Sequence, residues 1–220
     1  MDKEKMTPLT PTIRCAVLHT AILLALGLVS GCHVIYKPTG HEPDYYYLNP
    51  QKLLPTVGKV ILIELDNDST YPQISADVTE ALFQAFQKKQ VFSVETIAQN
   101  NHQWRSLQID TRAPYSFEQL GTMRKTLNCN AILTGVVTAY QPYPHMSIGL
   151  RLKLIDLSDG QLLWAFEQIW DTTDKTTEKK IKDYFQEQIR SEITPLHEQL
   201  VVVSSLKFVK FVAYEVAKTM

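Results

Sequence analysis

Residues 146–170 have the sequence MSIGLRLKLIDLSDGQLLWAFEQIW. From Met146 to Asp156 apolar side chains occupy every second position, and a similar alternation returns from Gln161 to Trp170. This period of two indicates strands with one covered face and one solvated face, as in an antiparallel sheet. Ser158-Asp159-Gly160 lies between the two strands and is typical of a tight turn. We therefore predict a β-hairpin whose sheet carries helices on one side.

Three further strands are predicted upstream of the hairpin. Residues 59–65 (KVILIEL) form a continuous apolar run rich in β-branched side chains, which indicates a strand buried on both faces. Residues 91–96 (VFSVET) and 131–140 (AILTGVVTAY) provide the other two strands. Trp164 and Trp170 stand six residues apart on the last strand of the hairpin, so we expect both on one face and in the core.

Helical spacing of apolar residues predicts helices over residues 75–89, 115–127, 172–189 and 205–218. Ser75 and Ser116 are the expected N-caps of the first two helices. The third is strongly charged and should lie at the surface, whereas the fourth is amphipathic and should bury its apolar face on the sheet. The sequence thus predicts an α+β fold: a mixed, largely antiparallel sheet of about five strands, with helices packed mainly on one side.

Two motifs within this pattern carry a resemblance to a known family. They are the A-I-L-x-G strand at Ala131–Gly135 and the L-x-D-x-x-x-G-x-L-x-W hairpin at Leu154–Trp164. With the order of elements from Lys59 to Ala217, they resemble the TolB N-terminal-like, curli-transport (CsgG-like) superfamily of periplasmic lipoproteins. Its members include the lipoprotein activator of a penicillin-binding protein and the curli secretion channel. The resemblance implies a TolB N-terminal-domain-like fold.

The N-terminal segment predicts a lipid anchor. Residues 15–28 (CAVLHTAILLALGL) form an apolar run of the length of a signal peptide, preceded by a basic flank. The following Leu28-Val29-Ser30-Gly31-Cys32 resembles the bacterial lipobox, which implies cleavage after Gly31 and acylation of Cys32. The alternatives are an uncleaved N-terminal anchor and a buried helix that happens to end in cysteine.

This interpretation divides the chain into three parts. We expect a signal peptide over residues 1–31, a lipidated N-terminus and tether over 32–57, and a single α+β periplasmic domain over 58–220. Pro and Gly residues occur along the tether, and its apolar residues show neither helical nor strand spacing. Its Tyr45-Tyr46-Tyr47 run is unusual for a linker. The three tyrosines would either pack as a strap on the domain or rest at the membrane interface.

Charge and cysteine content exclude two classes of function. Removal of residues 1–31 takes three basic and two acidic residues from totals of 22 and 23, leaving 19 and 21 and a net charge of −2. A surface so near neutrality argues against nucleic acid as a partner. Cys129 would be alone in the mature chain, which excludes an internal disulfide. We predict a small, buried, reduced side chain there, the alternative being a reactive thiol.

No motif predicts an enzyme, a cofactor or a metal site. Asp66, Asp68 and Thr70 have the spacing of a calcium loop, but Tyr71 occupies the position that requires glycine, so a solvated turn is expected instead. The histidines of the mature chain lack helical metal-binding spacing, and no nucleophile elbow or phosphate loop is present. An enzyme remains the third hypothesis, and it would require a cleft of converging ionisable groups.

The connection Tyr140-Gln141-Pro142-Tyr143-Pro144-His145 is the candidate partner contact. It joins two strands where proline prevents pairing, and it presents aromatic tips of the kind enriched at recognition sites. Tyr140, Tyr143 and His145 are therefore the predicted contact residues. The alternative is a rigid loop whose tyrosines pack locally.

These observations predict a protein-interaction or adaptor module in envelope assembly, secretion or cell-wall regulation. His33 after Cys32, rather than Asp, resembles outer-membrane sorting, so we expect the protein at the outer membrane, facing the periplasm. The expected partners are the membrane, through the lipid, and an envelope protein, with homo-oligomers through sheet edges or the final helix as an option. The alternative function is a subunit of an oligomeric outer-membrane secretion channel. The loops 141–145 and 158–160 are too short for spanning hairpins, however, and residues 98–114 are too polar.

Overall fold

The structure, a computed structural model, describes residues 46–189 and 204–220. The strands are β1 (Tyr46–Leu48), β2 (Lys59–Ile63), β3 (Asp66–Asn67), β4 (Ser93–Ile97), β5 (Ala131–Gln141), β6 (Ser147–Asp156) and β7 (Leu162–Asp171). The helices are α1 (Ile74–Lys89), α2 (His102–Ser106), α3 (Phe117–Leu127), α4 (Lys175–Ile189) and α5 (Ser205–Ala217). Among these described helices, none has the length and apolar character needed to cross a bilayer.

The strands form one mixed sheet in the order β1-β7-β6-β5-β2-β4, and β3 pairs with β5 beyond the end of β2. β2 is parallel to both β4 and β5. From β5 through β6 and β7 to β1, each strand is antiparallel to the next. The predicted α+β fold with a mixed, largely antiparallel sheet is confirmed. The described residues contain seven strands rather than five, because β1 and β3, of three and two residues, are too short to show a period.

The β6–β7 hairpin is confirmed, with ten residues in each strand. Gly160 in the turn has φ +73°, a conformation that glycine adopts without steric cost. The Gly160 amide donates to the Asp156 carbonyl at 2.9 Å and closes the turn. The pairing then shifts by one residue near Leu163, which lies opposite the Leu154–Ile155 step as a bulge.

The main core lies on one face of the sheet, against α1, α4 and α5. Trp164, Phe166 and Trp170 follow one another on this face of β7, with ring centroids 5.8 and 5.7 Å apart. Both tryptophans are fully buried, which confirms the prediction that they share a face in the core. α5 also packs here through Phe208 and Phe211, as its amphipathic pattern predicts.

A smaller core lies on the opposite face, where α3 covers β2 and β5. Met123 of α3 packs with Ile61 and Ile132 of these strands. α3 begins at a capping box in which the Ser116 hydroxyl accepts from the Gln119 amide and the Gln119 side chain accepts from the Ser116 amide, as the sequence predicts for Ser116. On this face β6 and β7 present solvent-exposed side chains instead, and that part of the sheet carries the candidate site.

Two local expectations were wrong. Ser75 is not an N-cap: α1 begins at Ile74, and the Ser75 hydroxyl donates to the Leu65 carbonyl inside the fold. Thr79 completes this buried link, since its hydroxyl accepts from the Leu65 amide at 3.0 Å. Residues 98–114, for which no helix was predicted, contain α2, because Asn101 caps the amides of residues 103 and 104 and the Trp104 side chain is buried.

The end of the expected tether belongs to the sheet. Tyr46–Leu48 pairs with β7, and Leu54 is buried in the main core. Lys52 bonds Asp156 at 2.7 Å and Asp159 at 2.5 Å, which ties the segment to the β6–β7 turn. Residues 46–57 therefore pack on the domain as the strap interpretation describes, and the division of the chain into three parts stays a prediction. Cys32 and the cleavage position lie outside the described residues.

Candidate partner-binding groove

A groove of about 630 Å³ lies on the part of the sheet that α3 leaves open. Its floor is formed by side chains of β1, β5, β6 and β7, among them Tyr47, Val136 and Ala165. Thr111 and Arg112, from the loop between α2 and α3, form one wall. The groove thus joins the N-terminal strap, the hairpin and a loop from the middle of the chain in one surface.

The first charged cluster of the groove centres on Arg112. Its guanidinium lies 2.6 Å from Asp68 and 3.6 Å from Asp66, and hydrogen bonding to Asp68 raises the pKa of Arg112. The Thr111 hydroxyl donates to Asp66 Oδ2, the same oxygen that faces the Arg112 guanidinium. These contacts hold the wall of the groove against the end of β3.

The second cluster crosses the hairpin. Arg151 of β6 and Glu167 of β7 are cross-strand partners, with Nη2 and Oε1 2.6 Å apart. The hydrogen bond from Arg151 holds the pKa of Glu167 below its ordinary value. Lys153 lies two residues along β6, over the Tyr115 ring at 5.2 Å, and burial lowers the pKa of its amine. Two ion pairs, Arg112 with Asp68 and Arg151 with Glu167, therefore lie in the groove beside the Lys153 amine.

Apolar side chains continue the same surface beyond the charged clusters. Tyr47, Leu162 and Ile169 are 45%, 37% and 65% exposed and belong to the face that also carries Ala165 and Glu167. Exposed apolar residues flanked by ion pairs are the composition of a protein-recognition surface, in which desolvation provides affinity and charges set orientation. Within the described residues, no three His, Cys, Asp or Glu side chains are arranged to hold a metal ion.

The predicted contact residues lie apart from this groove. Tyr140 is half-buried at the end of β5 and meets the Tyr71 ring edge-on at 5.3 Å. Tyr143 is 82% exposed in the loop that follows, and His145 is exposed beside it. None of the three lines the groove. Their role in partner contact stays a prediction.

Sequence reasoning missed the groove although it predicted a solvated face on the hairpin. Arg151 and Glu167 occupy the solvated positions of the alternating pattern, which was a usable signal. Arg112 and Asp68 lie 44 residues apart, and no local pattern brings them together. The strap that supplies Tyr47 was assigned to the tether.

Cys129 lies in the smaller core, away from the groove. It is 3% exposed and packs with α3 and β2. Burial raises the pKa of its thiol to about 11. The described part of the chain contains no disulfide, and the structure confirms the buried thiol that the sequence predicts.

We expect Cys129 to react slowly with a bulky thiol reagent at pH 8. A pKa about two units above that of a free thiol lowers the thiolate fraction about a hundredfold, and burial hinders attack further. Reaction of the native chain and of the urea-unfolded chain measures the effect, with Cys129→Ser giving the background from Cys15 and Cys32. Equal rates in the native and unfolded chains would revive the reactive-thiol hypothesis.

Comparison with known proteins identifies neighbours in fold only. No family model and no curated protein sequence matches the chain. The solved lipoprotein GNA1162 from Neisseria meningitidis is 12% identical, over 62% of this chain and 99% of that one, with a TM-score of 0.44. The PelC dodecamer from Paraburkholderia phytofirmans is 13% identical over 57% and 79%, with a TM-score of 0.41.

LpoB from Escherichia coli is a further structural neighbour, 12% identical over 77% of this chain and 82% of that one, with a TM-score of 0.39. Identities and TM-scores this low carry no conclusion about the role of this chain. The narrower assignment to the TolB N-terminal-like or CsgG-like superfamily therefore stays a prediction from the sequence motifs.

Proposed function

We propose that this protein is a membrane-anchored periplasmic adaptor whose open sheet face binds an envelope protein. The observation that carries the proposal is the groove, where exposed apolar side chains flank the Arg112–Asp68 and Arg151–Glu167 ion pairs. Such a face buries apolar area on binding, while its fixed ion pairs favour a partner with matching polar groups.

The proposed anchor is a lipid on Cys32, and the proposed site of action is the periplasmic face of the outer membrane. The lipobox-like sequence before Cys32 and the signal-like apolar run support this placement. Residues 33–45 would then separate the lipid from β1, which begins at Tyr46. Since β1 forms the edge of the sheet beside the groove, the partner would bind on the domain close to where the tether joins it.

Site-specific photo-crosslinking in intact cells tests this function. A photoreactive amino acid at Ile169, on the open face, should yield one discrete crosslinked species with an envelope protein. The same amino acid at Gln87, exposed on α1 on the other side of the sheet, should not yield it. Ile169 is 65% exposed, so the substitution leaves the core intact.

A second variant tests whether the Ile169 crosslink reports specific binding at the open face or only a protein that happens to lie nearby. Arg151→Glu places two carboxylates opposite each other on β6 and β7, and the crosslink from Ile169 should fall at least tenfold. Lys125→Glu, exposed on α3, is the control for charge reversal. Identical crosslinks from Ile169 and Gln87, or no effect of Arg151→Glu, would contradict a partner on the open face.

A further inference from the structure

Lys153 differs from the other two cations that line the groove on the open face. The two arginines are held in ion pairs with carboxylates of the same surface. Lys153 forms no ion pair with any other residue that the structure describes, and its ammonium lies over the Tyr115 ring, 5.2 Å from the centroid. The side chain is half-buried, so the groove contains a partly desolvated positive charge without a carboxylate bound to it.

The register of the sheet explains this difference. Arg151 and Lys153 lie two residues apart on β6 and share the open face. Glu167 of β7 lies opposite Arg151, whereas Ala165 lies opposite Lys153. On the other side of Lys153, β5 places the buried and uncharged Thr134. The short side chain of Ala165 therefore leaves room over β7 at the level where a carboxylate could pair with Lys153, as Glu167 does with Arg151.

The two carboxylates that attract Lys153 from a distance are bound to other donors. Burial lowers the pKa of Lys153 and outweighs the attraction of Asp110 and Asp66, which raises it. Asp110 accepts from the Arg112 amide at 2.8 Å. Asp66 accepts from the Thr111 hydroxyl and faces the Arg112 guanidinium at 3.6 Å. The free-energy cost of burying the Lys153 charge is thus only partly compensated within the described residues.

The alternative is an ordinary surface lysine that extends its ammonium into water. Such a lysine packs its methylenes on apolar surface and keeps its charge solvated. Here the ammonium stays over Tyr115, which is itself half-buried, and burial raises the pKa of that phenol. Tyr47 of β1 lies on the far side of Ala165 in the same row of the sheet. Lys153 is therefore set between aromatic side chains rather than at an open rim.

We propose that Lys153 binds a carboxylate of the envelope partner, which lies over Ala165 and beside Tyr47. This inference rests on the proposed function, because it names the group that the open face recognises. An ammonium and a carboxylate form a charge-assisted hydrogen bond, and aromatic neighbours that exclude water strengthen it. Glu167 would repel an incoming carboxylate only weakly, since Arg151 already neutralises it at 2.6 Å.

A water-soluble carbodiimide tests this contact in intact cells, because it joins an amine directly to a carboxylate that touches it. We expect an amide between Lys153 Nζ and a carboxylate of the same protein that the photoreactive group at Ile169 captures. Mass spectrometry locates the bond and tells an acidic side chain from a C-terminus, either of which supports the inference. Coupling of Lys153 only to carboxylates of its own chain, or no coupling at all, would overturn it.

Matched variants show whether the charge of Lys153 is what the partner requires. Lys153→Met keeps the length of the side chain and should lower the Ile169 photo-crosslink at least fivefold. Lys153→Arg keeps a cation that can stack on the Tyr115 ring and should retain at least half of the crosslink. Lys125→Met removes an exposed charge from α3 and should change nothing.

The outcomes separate this inference from the proposed function. An Ile169 crosslink that is equally strong in Lys153→Met would overturn the carboxylate contact and leave the partner on the open face. Equal losses in Lys153→Met and Lys153→Arg would also overturn it, since shape rather than charge would then matter. No crosslink from Ile169 in the unchanged protein would overturn the proposed function and this inference with it. The carbodiimide experiment needs no variant, so it decides the matter even if Lys153→Met folds poorly.

Discussion

Gly135→Ala is expected to destabilise the domain by about 3 kcal/mol or more. A Cβ atom at this position of β5 would lie 2.3 Å from the carbonyl oxygen of Arg151 and 3.0 Å from the Cα of Leu152. Both are backbone atoms of the neighbouring strand β6, which a rotamer change cannot move aside. The substitution must therefore push apart the β5–β6 pair at the centre of the sheet.

Gly121→Ala is the matched control with an effect of opposite sign. Gly121 lies within α3, and apart from the adjoining residues and backbone of its own helix nothing would lie within 4 Å of an added Cβ. Alanine there should stabilise the chain by about 0.5–1 kcal/mol, because glycine costs conformational entropy in a helix. Urea unfolding followed by tryptophan fluorescence measures both changes. Similar stabilities for the two variants would contradict the close approach of β5 and β6.

Cys32→Ala is expected to remove the protein from the membrane fraction or to block its processing. If the lipobox-like sequence directs acylation, loss of the sulfur removes the point of attachment. Fractionation of cells, with acyl labelling of the protein, measures the change. Cys129→Ala, which alters the buried cysteine of the domain, should leave both membrane association and acylation unchanged.

A Cys32→Ala protein that is processed and still membrane-bound would place the anchor elsewhere. The amphipathic helix α5 could not serve as that anchor through its apolar face, because Phe208, Phe211 and Val212 are fully buried in the domain.

Local sequence determined the elements whose own residues show a recognisable pattern, such as an alternation, a turn glycine or a capping box. The alternation over residues 146–170 predicted both long strands of the hairpin, and Gly160 marked its turn. Ser116 and Gln119 contain the complete chemistry of the α3 capping box within four residues. Gly135 ends the A-I-L-x-G motif, and the close approach of Arg151 and Leu152 explains why the position holds glycine.

Tertiary structure decided which short segments became part of the fold. Tyr46–Leu48 has three residues and no period, and it is a strand only because the free edge of β7 accepts its hydrogen bonds. Ser75 has the local character of an N-cap, but its hydroxyl donates instead to the Leu65 carbonyl, which also accepts from the Gln99 side chain.

The sequence by itself determined the fold class, the hairpin, the buried tryptophans and the buried thiol, because each depends on periodicity or on spacing within one element. Only the tertiary structure decided the groove and the other contacts between distant parts of the chain. Arg112 meets Asp68 and Lys89 meets Lys218 across 44 and 129 residues, respectively. Such pairs leave no mark in a local pattern, since the same residues at the same positions would serve equally as separate solvated charges. The packing of the sheet, α1 and α5 determines which of them face one another.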